Sequence, residues 1–180
     1  MKTKTAELCR TALCTALICV SAYIVIPLPF TAVMITAQTF AVNLAALLLR
    51  PKYAAAALIA YVLIGITGLP VFSGGTGGIA RLAGPTGGYI IGYIFAAFLI
   101  SLAAGDRNSF KRNLIATICV GIPVIYIFGA SFTAFHTGNG FKAILAAYVL
   151  PFIPGDIAKC IAASFVGVKL KKALDKTRVL

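Results

Sequence analysis

Asp156 and Lys159 stand three residues apart in Pro151-Phe152-Ile153-Pro154-Gly155-Asp156-Ile157-Ala158-Lys159. On a helix that spacing places a carboxylate and an ammonium on one face, an acceptor beside a donor. Such a pair suits a ligand that offers both N–H and C=O groups. The plainer reading is an Asp that caps a helix N-terminus and a Lys that snorkels to the membrane edge. Arg81 is the strong cation of the Gly-rich stretch from Phe72 to Tyr89. Its guanidinium can clamp a carboxylate through two parallel hydrogen bonds; alternatively it is a solvated loop charge. The surrounding glycines let backbone approach a ligand closely or cover a site as a lid. No Gly-Lys-Ser/Thr follows, so the stretch is not a phosphate-binding loop. Gln38 carries both a donor and an acceptor. With Thr36 it opens an apolar run, where interfacial hydrogen bonding explains both residues as well as ligand contact does. His136, in a polar turn with Asn139 and Gly140, lacks a carboxylate or a second ligand and reads as a loop residue. The five cysteines form no C-x-x-C pair and read as small apolar fillers, so no metal site is expected.

The elements that position these side chains must be membrane helices. Of 180 residues, 61% are hydrophobic and 11% charged, with a mean hydropathy of +1.00. Soluble domains sit near roughly 45–50% apolar and about 25% charged. The gap excludes an ordinary water-soluble enzyme, and the hydrophobicity excludes a disordered chain. Apolar runs cover approximately 8–26, 33–49, 53–69, 88–104, 114–131 and 157–170, close to the ~20 residues that span a bilayer. They leave only tails and connections, so one transmembrane domain is expected over 1–180. Pro27 and Pro29 close the first run, and Arg50-Pro51-Lys52 stops the second. Lys2 and Lys4 before the first run resemble a signal peptide, but no clear cleavage site follows, and a retained helix is expected. Phe141 to Ile153 is apolar apart from Lys142 but has only 13 residues, a length that suits an interfacial or half helix.

Charge settles the topology. With six spans, Lys2, Lys4, Arg10, Arg50, Lys52, Arg107, Lys111, Arg112, Lys169, Lys171, Lys172, Lys176 and Arg178 share one side, thirteen of the sixteen basic residues. Cytoplasmic segments concentrate Lys and Arg in this way, so both termini are expected in the cytoplasm. The net charge of +12 therefore reports membrane topology and anionic lipid, and no nucleic-acid partner. The outer side keeps Arg81, Lys142 and Lys159, with Asp156 as its one acid. Gly84, Gly88 and Gly92 recur every four residues, as do Ala12 and Ala16 on the first helix. Both are small-residue patterns for close helix packing; the alanine face equally suits a partner subunit.

Three stretches resemble the BioY family, the biotin-specific substrate-binding (S) components of energy-coupling-factor (ECF) transporters. They are Ile35-Thr36-Ala37-Gln38-Thr39-Phe40, Gly84-Pro85-Thr86-Gly87-Gly88-Tyr89, and Pro151-Phe152-Ile153-Pro154-Gly155-Asp156 with Lys159. The last two together, at this spacing in a six-helix chain, are specific. The resemblance implies an all-α, six-helix S-component fold in a prokaryotic cell membrane. It implies an outward-facing biotin cavity in which Asp156 and Lys159 contact the ureido ring. Arg81 would then serve the valerate carboxylate, with Gln38, Thr86 and Tyr89 nearby. It also implies that Ala12 and Ala16 dock onto the transmembrane T component, with two ATPase subunits supplying energy. The chain itself has no Walker motif, is not expected to be an enzyme and needs no cofactor.

Other readings stay open at this stage. An S component for another vitamin would share the fold but lack the Asp156/Lys159 and Gly-Pro-Thr-Gly-Gly pairing. A stand-alone carrier or membrane enzyme would want several carboxylates or histidines at membrane depth, where this chain offers Asp156 and His136. Work alone, as a homo-oligomer, or with the ECF subunits is compatible with the residues.

Overall fold

The computed structural model describes residues 2–26, 34–106 and 108–178, and the side chains of 4–26, 34–106 and 108–174. Pro27, Pro29, Val33 and Arg107, and the side chains of Lys2, Lys176 and Arg178, used in the sequence reading, lie outside these.

Helix α1 (Lys2–Ser21) leads into strand β1 (Val25–Ile26), which pairs antiparallel with β2 (Ile35–Thr36). Then follow α2 (Gln38–Leu48), α3 (Pro51–Ile66), the short α4 (Ile79–Ala83) and α5 (Gly87–Ala104). Next, α6 (Phe110–Ile115), a π-helical turn (Ala116–Gly121) and α7 (Ile122–Thr137) form one continuous helix of 28 residues. The short α8 (Phe141–Tyr148) and the long α9 (Ile153–Arg178) complete the chain.

Local chemistry explains several boundaries. Pro51 occupies the first turn of α3 after an extended Arg50, where its missing N–H costs nothing. Gly138 ends α7 in the left-handed conformation, φ +66, the usual C-terminal stop. Pro123 has no N–H and crowds the carbonyl four residues back. The π turn just before it widens the helix and absorbs the clash.

The fold departs from a purely α-helical reading at the β1–β2 hairpin. The apolar runs expected at 8–26 and 33–49 included Val25, Ile26, Ile35 and Thr36. These β-branched residues, approaching Pro27, pair as strands instead. Helix α2 consequently starts only at Gln38. The 13-residue apolar segment yields the eight-residue α8, which packs on α7 and meets α9 at a bend of 54°. Among the described residues, two helices are long and apolar enough to cross a membrane, Gly87–Ala104 and Phe110–Thr137, and the bent α8–α9 pair makes a third.

Helix α5 sits at the centre, against α2, α3 and α7, while α9 lies along α2. The core is built from small residues, among them Ala41, Ala45, Ala54, Ala57, Ala96 and Ala97, all buried. Small residues permit the close backbone approach that packs helices in lipid. Gly88 on α5 shows how close: a β-carbon there would collide with Phe132 and the Phe128 carbonyl of α7. Gly92 faces the same helix, whereas Gly84 lies before α5 and takes no part in its packing face. Leu13, Leu63, Phe98, Leu102, Ile127 and Phe165 point outward, an apolar exterior suited to lipid.

Candidate functional site

The first turn of α9 carries Asp156. The helix begins three residues earlier, at Ile153, with Pro154 in the first turn where proline is tolerated. Asp156 is therefore not an N-cap, which is where the plainer sequence reading placed it. Asp156 is 6% exposed, and its carboxylate holds two neighbours. The Lys159 ammonium donates to Oδ1 at 3.0 Å, and the Tyr126 hydroxyl of α7 donates to Oδ2 at 2.7 Å. Lys159 thus turns inward to its partner rather than snorkelling. A carboxylate oxygen has more than one acceptor site, so both oxygens can still accept from a ligand N–H. The ammonium likewise keeps donors for a carbonyl.

This pair lines a small cavity of ≈ 30 Å³ with Thr36, Thr39, Tyr89, Tyr93, Ile125 and Phe152. A neighbouring cavity of ≈ 40 Å³ is lined by Ser73, Arg81, Thr86 and Ile90. Met34, Thr36, Tyr89 and Tyr93 belong to both, so the two form one cleft pinched by these side chains. A carboxylate–ammonium pair stands at one end, tyrosines and apolar side chains form the middle, and a guanidinium stands at the other end. Among the described residues the ion pairs are Arg10–Glu7 at 3.9 Å and Lys159–Asp156. Arg81 thus has no carboxylate within ion-pair reach.

Each wall is held from behind. The Tyr89 ring fits because its α7 neighbour is Gly129, where a β-carbon would strike the ring. Its hydroxyl donates to the Tyr148 carbonyl at 2.9 Å. The Gly-rich stretch is pinned at Phe72, which is fully buried in the space beside Gly65 and meets Tyr61 edge-on at 5.5 Å. Gly74 and Gly75 take φ of +76 and +69, values glycine adopts without strain. That turn presents Ser73 to the cleft.

The structure brings Asp156, Lys159, Arg81, Thr36, Thr86 and Tyr89 to one cleft. Gln38 is placed behind it. Its side chain is wholly buried, donates to the Tyr61 hydroxyl at 2.7 Å and accepts from Ser73 Oγ at 2.7 Å, so it ties α2 and α3 to the Gly-rich turn. Ala12 and Ala16 lie on the exposed side of α1, away from the bundle interior. His136 sits in the last turn of α7, exposed and stacked on Phe132 at 4.8 Å. The described cysteines are free thiols, and Cys160 accepts from Asn43 Nδ2 at 3.3 Å.

Sequence reasoning missed Tyr93, Tyr126, Thr39 and Ser73. Tyr89 and Tyr93 stand at i and i+4 directly after the Gly-Gly pair, a spacing that does place both on one face. Tyr126 is a phenol inside an otherwise apolar span, and a buried hydroxyl needs a partner. A larger recess of ≈ 500 Å³ at the opposite end is lined by residues including Glu7, Arg10, Arg50, Asp106 and Lys171. It contains no residue of the three recognisable stretches.

The BioY family model matches residues 1–176. The biotin transporter BioY of Thermotoga maritima is 40% identical over 169 residues, covering 92% of this chain and 96% of that protein. The probable biotin transporter BioY of Pyrococcus horikoshii is 39% identical over 171 residues, covering 93% and 98%. The biotin transporter BioY of Rhizobium etli is 38% identical over 151 residues, covering 79% and 80%. Among solved structures, the S-component for biotin from an ECF-type ABC transporter superposes with a TM-score of 0.87 at 31% identity, covering 95% of this chain and 93% of the other.

Proposed function

The chain belongs to the BioY family, and from that premise we propose that it captures biotin in a prokaryotic cell membrane as the S component of an ECF-type transporter. It mediates uptake without being an enzyme, and separate T and ATPase subunits energise it. The observation that carries this reading is the buried Asp156–Lys159 pair facing the cleft. A cyclic urea offers two N–H donors and one C=O acceptor, and a carboxylate beside an ammonium is the complementary set. Tyr89, Tyr93, Ile125 and Phe152 give the thioether ring an apolar wall. Arg81, with no carboxylate of the protein nearby, receives the ligand's own. Thr36 and Thr86 offer hydroxyls along the cleft, and Gln38 acts through Ser73. The narrow cleft means that Met34 and the tyrosines part when biotin enters, which makes the Gly-rich turn above them the gate.

Six spans with both termini in the cytoplasm fit this role: α1, α2, α3, α5, the α6–α7 helix and α9, forming one domain over 1–180. The distribution of Lys and Arg supports that topology. It puts the cleft on the outer side and the exposed Ala12/Ala16 face of α1 toward the T component. The test is biotin uptake by a biotin-requiring host that expresses this chain with and without the energising subunits, beside calorimetric titration of the purified chain. Absence of biotin binding by folded protein would overturn the reading.

A further inference from the structure

Three contacts fix how α9 runs along the α6–α7 helix: Tyr126 with Asp156, Thr117 with Cys160, and Asn108 with the Val168 carbonyl. As the numbers fall on one helix they rise on the other, so the two are antiparallel. Asn113 lies between Asn108 and Thr117, one turn before Thr117, and Ser164 lies between Cys160 and Val168. Asn113 and Ser164 therefore meet in the same seam. Asn43 of α2 closes its third side. It bonds Cys160 through Nδ2, while its Oδ1 points at the π turn beside Gly121.

Asn43, Asn113, Thr117, Cys160 and Ser164 are at most 1% exposed. Among the described residues, the buried side-chain polar atoms without a protein hydrogen-bond partner are Asn43 Oδ1, Asn113 Nδ2 and Oδ1, Ser164 Oγ and Asn108 Oδ1. All five belong to this seam. Buried amides and hydroxyls are satisfied in native proteins, by water where protein groups do not reach, and lipid supplies none. The orphans include a donor as well as acceptors. A cation would serve only the oxygens, whereas water serves both.

We propose that the seam between α2, α6 and α9 is an internal water site. A short file of bound waters joins Asn43, Asn113, Ser164 and Asn108, running from one turn below Asp156 toward the turn that precedes α6. The π turn belongs to the same site, because its irregular ladder offers backbone groups to the waters. Asp156 thereby has a hydrated neighbour on the side away from the biotin cleft.

The two most buried thiols provide the test. Cys160 lies in the seam, and Cys14 lies in the apolar core. In biotin-free, full-length protein, radicals generated from bound water by brief X-ray irradiation oxidise Cys160 several-fold faster than Cys14, read by mass spectrometry. Ser164→Ala and Asn113→Leu each lower the melting temperature by on the order of 2–4 °C, because the first takes a partner from the bound water and the second puts an apolar side chain in its place, so that the remaining polar groups lose their bridge. Cys160 oxidation no faster than that of Cys14 overturns the proposal. So does a rise in melting temperature in both variants, the result expected if dry, unpaired polar groups had been removed. Neither readout uses biotin, so the outcome is independent of the ligand assignment.

Discussion

At the Asp156 end of the cleft each polar group is held by a neighbour on a long helix, whereas at the Arg81 end the guanidinium sits on a five-residue helix with no carboxylate in reach. The first end is pre-organised: α7 and α9 fix Tyr126, Asp156 and Lys159 before any ligand arrives, which limits the ordering cost of binding. The second is carried by a Gly-rich segment pinned by Phe72 and by Ser73 on Gln38. On the function proposed above, recognition of a particular ring would therefore belong to the helical end. On the same proposal the loop end would supply attraction for a charged tail and yield as the ligand passes.

Substitution at the helical end carries the largest expected effect. Asp156→Asn removes the charge and leaves Lys159 unpaired, and biotin affinity falls at least ~100-fold, in line with about 3 kcal/mol for a charged hydrogen-bond partner. Calorimetric titration checks this, and near-native affinity would remove Asp156 from the site. Gly129→Ala drives a methyl into the Tyr89 ring and cuts affinity by ~10–100-fold, with a melting temperature lower by several degrees from overpacking. Thermal melting beside titration separates the two effects, and unchanged values for both would mean that Tyr89 relocates freely.

At the loop end, Arg81→Gln lowers biotin affinity by about tenfold. It also abolishes the preference of the wild type for biotin over biotin methyl ester. Competition binding reads this directly, and a wild type that takes acid and ester equally well would free Arg81 from the carboxylate. Gln38→Leu, acting only through Ser73 and Tyr61, weakens binding by a few-fold while lowering stability by about 1–3 kcal/mol, because it strands the buried Tyr61 hydroxyl and the half-buried Ser73 hydroxyl. Denaturant unfolding measures the second number, and a larger loss of affinity than of stability would place Gln38 in direct contact with ligand.

The Asp156/Lys159 pairing was legible because a spacing of three on a helix already implies a shared face. The helix start was not, although Pro154 was its marker: proline favours the first turn, so α9 begins at Ile153 and Asp156 turns its carboxylate sideways to Tyr126. Gln38 was legible as a bifunctional amide and misplaced by one layer, since sequence shows what a side chain can bond but not which neighbour arrives first. Tyr126 was legible only as a phenol in an apolar span that needs a partner, and its partner was not. Tyr126 is nine residues from Thr117, about two and a half turns of regular α-helix, which puts the two on opposite faces. The π turn between them changes that phase, and both meet α9.

Composition, hydropathy and the placement of Lys and Arg determined the membrane class, the run of helices and the expected orientation, because these depend on sums over segments and on the solvent each segment must face. The three recognisable stretches determined the family. Only the tertiary structure decided that Arg81 and Asp156 close opposite ends of one cleft, that Gln38 stands behind it, and that the polar residues of α2, α6 and α9 share a seam. Helical periodicity tells which residues lie on one face of one helix. Which helix comes to that face depends on crossing geometry, on close approach at Gly88 and Gly129, and on a π turn that no local pattern announces.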